Sequence, residues 1–503
     1  MISDFRFKIL EHTILRKHWH TVGVIVVLVI AIFLRFYNYS NRWGLAYDQA
    51  HDAIIARHAL QQHLIPLVGP FSSAGPFQTG GEWYWIIMLG TSLYPFKVIT
   101  PWLFITGLSL LFVYLMIRVG TRLMDRKGGL LAGLLSAVST AQLAQSTNMT
   151  NQTPEAIIAL GALWSAIAYI RKRTAISLFW LGFFISFAAT VHLQGAALAV
   201  LLPVALLLGG IPPVRHVLAV MAGFSLPLLP LIIFDVRNDF VNSRGFIRYL
   251  TDERYKIPYE VLGRRWLTYA GEFFPRAWAY TIGGSVIAGY LFIVAVGALG
   301  AARAVRKTLS REWIFIGGST VFMTILVRYI RTPLYPSYLT FMHPFILLLS
   351  AWVLWNMWNR HRLIGLAACS SIVVITLMYD WEPVMRATNH TAEMTSGWAN
   401  ELALQDGAFA VYDRGLITRD KSVPLVLFLD GKGKIADDGK KIGVMIASQS
   451  SDLIHKPLIG KFKDYQVFDL SASSSAELGE AMWFFVNPSE LYWTTEHWYR
   501  HPR

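Results

Sequence analysis

Two carboxylates and a histidine stand close together in the stretch Tyr47-Asp48-Gln49-Ala50-His51-Asp52-Ala53-Ile54-Ile55-Ala56-Arg57. Asp48, His51 and Asp52 are spaced i, i+3, i+4, so on a helix they share one face. Side chains of these types move protons to and from a reacting group. Asp48 also suits the N-cap of that helix, where its oxygen would accept from the orphan amides of the first turn. A plainer reading is a solvated cap on a short surface helix. The surroundings argue against it: the stretch follows the first strongly apolar segment, and ionisable groups beside a membrane are costly.

The elements that must position this cluster belong to a membrane protein. Of the 503 residues, 54% are hydrophobic and 15% charged, with a mean hydropathy of +0.43. Soluble domains carry about a quarter charged residues. The single cysteine, Cys369, lies in an apolar run, which excludes a disulfide framework and suggests no thiol mechanism. The net charge is +14, but the basic residues cluster at the ends of apolar segments, as the positive-inside pattern requires, so nucleic acid is not an expected partner. Arg6, Lys8, Arg16 and Lys17 precede an apolar run in the manner of a signal peptide. No small-residue cleavage site follows before Arg35-Phe36-Tyr37, so this reads as a retained first span. There is no Walker loop, H-E-x-x-H or G-x-S-x-G.

A span needs about 20 mainly apolar residues. Eleven segments are candidates, several of them short: 20–37, 100–119, 128–144, 154–170, 175–191, 195–208, 216–234, 281–302, 313–329, 338–358 and 363–379. Segment 82–96 is apolar but short, with Trp83, Tyr84, Trp85 and Tyr94 near its ends. Leaving it out puts the clusters at Arg118–Lys127, Arg171–Arg173, Arg303–Arg311 and Arg360–Arg362 on one side with the N-terminus. It is therefore expected to lie in the interface, its aromatics at headgroup level. The expected architecture is a polytopic α-helical membrane protein of about 11 transmembrane helices. Residues 1–379 form the transmembrane domain, with outer loops at about 38–99 and 235–280, and residues 380–503 form a small α/β or α+β domain on the extracytoplasmic side. In that tail, short apolar runs recur at 409–412, 425–429, 442–446, 466–470 and 483–486, with a helix expected over 384–404.

Arginines gather on the outer side, against the topological rule. Arg237 opens a series that continues through Arg244, Arg248, Arg254, Arg264 and Arg265, and Arg328 and Arg331 flank the end of another span beside Tyr335. Guanidinium forks match phosphate oxygens, which is the functional reading. Local pairing with Asp239, Asp252, Glu253 and Glu260, or snorkelling at the interface, is the structural one. His343 and His192 read as core histidines, and Glu155 after Pro154 as a cap.

These features together resemble the GT-C superfamily, polytopic glycosyltransferases that use polyprenyl-phosphate sugars. It includes protein O-mannosyltransferases and the aminoarabinose transferase acting on lipid A. The resemblance rests on Phe33-Leu-Arg-Phe-Tyr37, Leu45-Ala-Tyr-Asp-Gln-Ala-His-Asp52, Ile55-Ala-Arg57, Gly69-Pro70, Gly80-Gly81-Glu82-Trp83-Tyr84, Ile233-Phe-Asp-Val-Arg-Asn-Asp-Phe240 and Tyr338-Leu-Thr-Phe-Met-His-Pro344. In that family the first-loop acid activates the acceptor or helps hold a divalent ion, Mg or Mn, and Asp48 matches its position. Many relatives carry an Asp-Glu pair where this chain has Asp48-Gln49, so Asp52, one turn on, is the substitute for the second acid. The resemblance implies sugar transfer from a polyprenyl-phosphate donor to a lipid, glycan or protein acceptor at the outer face of a bacterial inner membrane. Asp48 and Asp52 would be catalytic, and Arg57, Arg328, Arg331 and Arg237 would hold the donor phosphate. His51, Glu82 and Tyr335 are secondary candidates. The rival readings are a transporter or flippase for a lipid-linked saccharide, which would need carboxylates buried mid-span, and a non-catalytic scaffold.

Overall fold

The structure is a computed structural model that describes residues 2–483, apart from Ser73, Phe96, 256–258, 328–335, 414–418, 437–438, 447–455, 463–464 and 474–481. A long α1 (Ile2–Phe36) leads through the single turn α2 (Tyr39–Arg42) into α3 (Tyr47–Gln61). An antiparallel hairpin follows, β1 (Val68–Phe71) and β2 (Gln78–Gly80), and then α4 (Glu82–Leu93). The helical bundle continues with α5 (Thr100–Leu123), α6 (Arg126–Val138), α7 (Thr140–Ser146), α8 (Glu155–Lys172) and α9 (Ala175–Val191). A 3₁₀ segment (Leu193–Val200) opens α10 (Leu201–Gly209), and α11 (Val214–Arg237) leads to α12 (Val241–Thr251), α13 (Tyr259–Thr268) and α14 (Phe274–Thr281). Helices α15 (Val286–Val305), α16 (Arg311–Val327), α17 (His343–Arg360, preceded by 3₁₀ turns over Pro336–Met342) and α18 (Arg362–Asp380) complete it.

Among the described residues, six helices are long and apolar enough to cross a membrane: His18–Phe36, Thr100–Leu123, Val214–Arg237, Val286–Val305, Ser337–Arg360 and Arg362–Asp380. The other five expected crossings are helical too, but shorter or interrupted. Helix α17 is the centre of the bundle. Its residues from His343 to Leu354 are buried on every side, as expected of a helix apolar all round. Its Ser350 hydroxyl returns to the Ile346 carbonyl and accepts from Trp278 Nε1 at 3.2 Å.

One interruption is built in. The expected span 128–144 breaks at Ser139, whose ψ of 122° leaves the helical region and whose Oγ caps α7 by accepting from the Gln142 amide. The break leaves the last carbonyls of α6 without helical partners. Arg35, fully buried in the last turn of α1, reaches them: Nη1 donates to Ala137 O at 3.1 Å and Nη2 to Ser136 O at 3.3 Å, while Nε meets Ser109 Oγ at 2.9 Å. A guanidinium is tolerated there because its fork of donors is met.

The C-terminal segment builds α19 (His390–Ala403), β3 (Phe409–Asp413), α20 (Arg419–Asp430), β4 (Lys440–Ile446), β5 (Leu458–Phe462), β6 (Tyr465–Asp469) and β7 (Met482–Trp483). The sheet order is β5-β6-β4-β3-β7, with β3 and β4 parallel around α20 and the other pairs antiparallel. The run 425–429, expected among the strand-like repeats, is helical. Val423, Leu425, Val426, Leu427 and Leu429 are all buried, and a short run buried on all sides carries no period to separate helix from strand. Their partners are α3, α4 and α19, which share one hydrophobic core with them.

Arg35→Met keeps the apolar stem but strands the Ser136 and Ala137 carbonyls. A loss of about 3 kcal/mol is expected, read as a lower denaturation midpoint of the detergent-solubilised protein.

Candidate functional site

Helix α3 carries the cluster, and its start is set by Ala46, not Asp48. Ala46 is extended (φ −137°) and its amide donates to Gln49 Oε1 at 3.1 Å, while Asp48 already lies inside the first turn. Asp48 is therefore not the cap of this helix. Gln49 also faces the bundle, where its Nε2 donates to Asn148 Oδ1 at 3.0 Å and fastens α3 to the loop after α7. The Gly44 amide on Thr147 O (2.8 Å) and Trp102 Nε1 on Gly44 O (2.7 Å) fix the approach to the helix.

Asp52 is buried, and its oxygens are already engaged. Trp83 Nε1 donates to Oδ2 at 2.7 Å, Tyr84 Oη to Oδ1 at 3.4 Å, and His51 Nδ1 lies 3.1 Å from Oδ1. Helix α4 is thus too short to span, but Trp83 and Tyr84 do not sit at headgroup level as the sequence suggested. They turn inward, fully or nearly buried, to satisfy this carboxylate. Trp85 Nε1 donates to Pro66 O at 2.8 Å, and of the four aromatics named from sequence, Tyr94 stays exposed.

Asp48 keeps an open carboxylate tip, yet the atoms around it desolvate it. Burial first, then Asp52 and Asp420, raise its pKa above the ordinary carboxylate value, and His51 pulls it back. A carboxylate with a raised pKa is the better proton acceptor. Asp420 belongs to α20, which runs beside α3 in the same direction. At the start Asp420 Oδ1 accepts from the Tyr47 amide at 3.0 Å. Near the end Asp430 pairs with Arg57 (3.3 Å) and His58 Nε2 (2.8 Å). Arg57 is therefore committed to the C-terminal segment and faces away from Asp48, as nine positions along a helix require.

Arg237 ends α11 and is exposed. Two turns of structure tie that end to the first-loop hairpin. The buried Asp235 accepts from the Asn242 amide (2.8 Å), the Ser243 amide (2.9 Å) and the Ser243 hydroxyl, and Asn242 Oδ1 accepts from the Gln78 amide at 2.7 Å. Gly245 lets α12 lie on the hairpin, since a Cβ there would come 1.8 Å from Pro76 O. Arg254 pairs with Asp252 at 2.7 Å, the local pairing weighed from sequence. Arg328, Arg331 and Tyr335 lie outside the described residues.

Glu82 is the first residue of α4 and almost fully buried (1% exposed), with no well-directed partner for either oxygen among the described residues. Burial pushes its pKa up to about 7, its own amide and the Thr190 hydroxyl opposing only in part. Gly80 makes room for it: a Cβ would stand 2.1 Å from Glu82 Oε2. Beyond Thr190, His192 Nδ1 meets the fully buried Glu155 at 3.2 Å, so Glu155 does more than cap α8. His343 is the satisfied core histidine expected, its Nδ1 2.7 Å from Gln142 Nε2.

Asp52 has its lone pairs occupied, which leaves Asp48 as the open acid of the cluster. Among the described residues no three His, Cys, Asp or Glu side chains converge as a metal site. The described side chains alone therefore do not make up a site for the divalent ion that the resemblance implied, and no step is routed through one.

The broken helical bundle with a first-loop acid on its own helix has counterparts in fold among solved membrane proteins. ArnT from Cupriavidus metallidurans in the apo state matches with a TM-score of 0.62 at 12% identity, over 90% of this chain and 98% of that one. The same protein bound to undecaprenyl phosphate matches with a TM-score of 0.60, also at 12% identity, over 90% and 98%. The apo oligosaccharyltransferase of Archaeoglobus fulgidus matches with a TM-score of 0.53 at 10% identity, over 86% of this chain and 70% of that one. These likenesses are of fold; no protein-family model and no curated protein sequence matches the chain.

Glu82 makes stability pH-dependent. Its folded pKa, about 7, lies above the ordinary 4.5, so its contribution is complete below pH 4.5 and is lost as the pH rises through 7. The difference amounts to roughly 3 kcal/mol. Glu82→Gln is expected to flatten that slope in denaturation midpoints measured from pH 4 to 8.

Proposed function

We propose that the protein is a glycosyltransferase that moves a sugar from a polyprenyl-phosphate donor to an acceptor at the outer face of the membrane, with Asp48 as the acid that meets the acceptor. One observation carries this: the single open carboxylate of α3 is held beside a buried, fully engaged partner in the fold of known membrane glycosyltransferases. A neighbour in fold was solved with undecaprenyl phosphate, which supports a lipid phosphate as the leaving group. The reading has a transmembrane domain over 1–379 with eleven crossings, a cytoplasmic N-terminus, and residues 380–503 outside, docked through α20.

An uncharged hydroxyl attacks poorly, and Asp48 draws its proton as the new glycosidic bond forms. The C1–O bond to phosphate breaks, and the electron pair goes to the leaving phosphate. Fixed cations aimed there stabilise the transition state. Arg237, Arg328 and Arg331 are the arginines assigned to that work, since Arg57 is held by Asp430. A coupled transporter would place acids mid-span. Among the described residues the buried acids Glu82, Glu155, Asp235 and Asp380 sit at helix ends and Asp52 lies on α3, outside the expected spans, which favours chemistry at the surface.

Asp48→Asn is expected to leave the protein folded and inserted while lowering turnover by roughly 10³-fold or more. The measure is polyprenyl phosphate released by purified protein supplied with lipid extract of its host's envelope. Undiminished release sinks the assignment. Arg331→Ala is expected to raise the KM for donor and leave that for acceptor unchanged, checked by separate saturation curves.

A further inference from the structure

We infer that His51 is the relay that receives the acceptor's proton from Asp48, oriented for this by Asp52 and, through Asp52, by Trp83. The inference rests on the glycosyl-transfer reading and deepens it. The imidazole is fixed on two sides. Its Nδ1 lies 3.1 Å from Asp52 Oδ1, and its ring stacks on Tyr47 with centroids 5.6 Å apart and planes 20° apart. Asp52 cannot turn away, because Trp83 Nε1 holds its other oxygen at 2.7 Å and the side chain is only 7% exposed. A carboxylate on Nδ1 selects the tautomer with its hydrogen there, leaving the Nε2 lone pair as the acceptor. That nitrogen has no partner among the described residues, and the side chain remains 25% exposed, one helical turn from Asp48.

Charge explains why a relay is needed. The charged and titratable groups at this end of the elements packed on α3 are Glu82 and Tyr84 at the start of α4 and Asp420 and Lys421 at the start of α20, beside Asp48 and Asp52 on α3 itself. Lys421 is turned to Thr391, its Nζ 2.5 Å from Oγ1, and Arg57 and His58 are held by Asp430 at the far end. A proton resting on Asp48 removes the charge that draws the next hydroxyl. The same proton moved to Nε2 leaves Asp48 charged for the next hydroxyl. In the step, the acceptor O–H breaks, its oxygen bonds to the sugar's C1, and the C1–O(phosphate) pair leaves with the phosphate. The proton passes through Asp48 to Nε2, and Asp48 is again a carboxylate. Asp52 and Trp83 are positioning residues; neither touches the acceptor.

The test compares wild type, His51→Gln, Trp83→Phe and Asp48→Asn as full-length purified chains, using host envelope lipid extract and following released polyprenyl phosphate from pH 5 to 9. His51→Gln is expected to lower kcat roughly 10²-fold, to leave the KM for donor unchanged and to displace the acid-side inflection of the kcat profile to that of Asp48 acting alone. Trp83→Phe is expected to displace that inflection less. In ¹⁵N spectra of histidine-labelled wild type, the His51 signal is expected to show the Nδ1-protonated tautomer. A His51→Gln profile identical to wild type, or an Nε2-protonated tautomer, overturns the relay while the Asp48 assignment stands. Full turnover by Asp48→Asn instead removes the Asp48 assignment and the relay with it, and an absence of release by wild type removes the glycosyl-transfer reading itself.

Discussion

The contact on which the site depends is the one between the Asp52 carboxylate and the indole N–H of Trp83. A charged group buried without donors would be costly enough to move the helix that carries it. With Trp83, Tyr84 and His51 all turned toward it, Asp52 becomes the pin joining α3 to α4. The pin fixes the rotation of α3 about its axis, and with it the direction in which Asp48 and His51 face. Gln49 on Asn148 does the same work from the side of the bundle.

Arginine is used in this protein where backbone is left unsatisfied as well as where ligands are expected. Arg35 answers the carbonyls freed by the break at Ser139. Arg42 closes the end of α1 through Nη1 on the carbonyl of Tyr37 at 3.0 Å. These internal roles matter because a bilayer offers no water to replace a missing donor. The same constraint explains the buried acids. Asp235 gathers the first amides of α12, and Glu155 takes His192, each at the end of a helix where unmet groups collect.

The C-terminal segment is part of the site's framework. Helix α20 lies along α3, with Asp420 at its opening and Asp430 on Arg57 and His58 near its close. A rigid neighbour of this kind holds a short helix that would be marginal on its own. It also adds a carboxylate beside Asp48 that raises the pKa of the open acid.

Much of this was legible in the chain itself. Composition and the run of apolar segments determined a polytopic helical membrane protein; the described parts of the expected crossings are mainly helical, and six of those helices are long and apolar enough to cross a membrane. The i, i+3, i+4 spacing placed Asp48, His51 and Asp52 on one helix, since that periodicity is local. Partnership was not legible. That Asp52 is engaged while Asp48 is open, that Arg57 answers Asp430 across more than three hundred residues, and that Trp83 and Tyr84 turn inward all depend on contacts between distant segments. Nor could the sequence show that 425–429 forms a helix, because a run buried on every side has no face to betray its period. Only packing decides which of two equivalent carboxylates keeps its lone pairs free: here Asp52 is engaged by Trp83, Tyr84 and His51, and Asp48 carries the open tip.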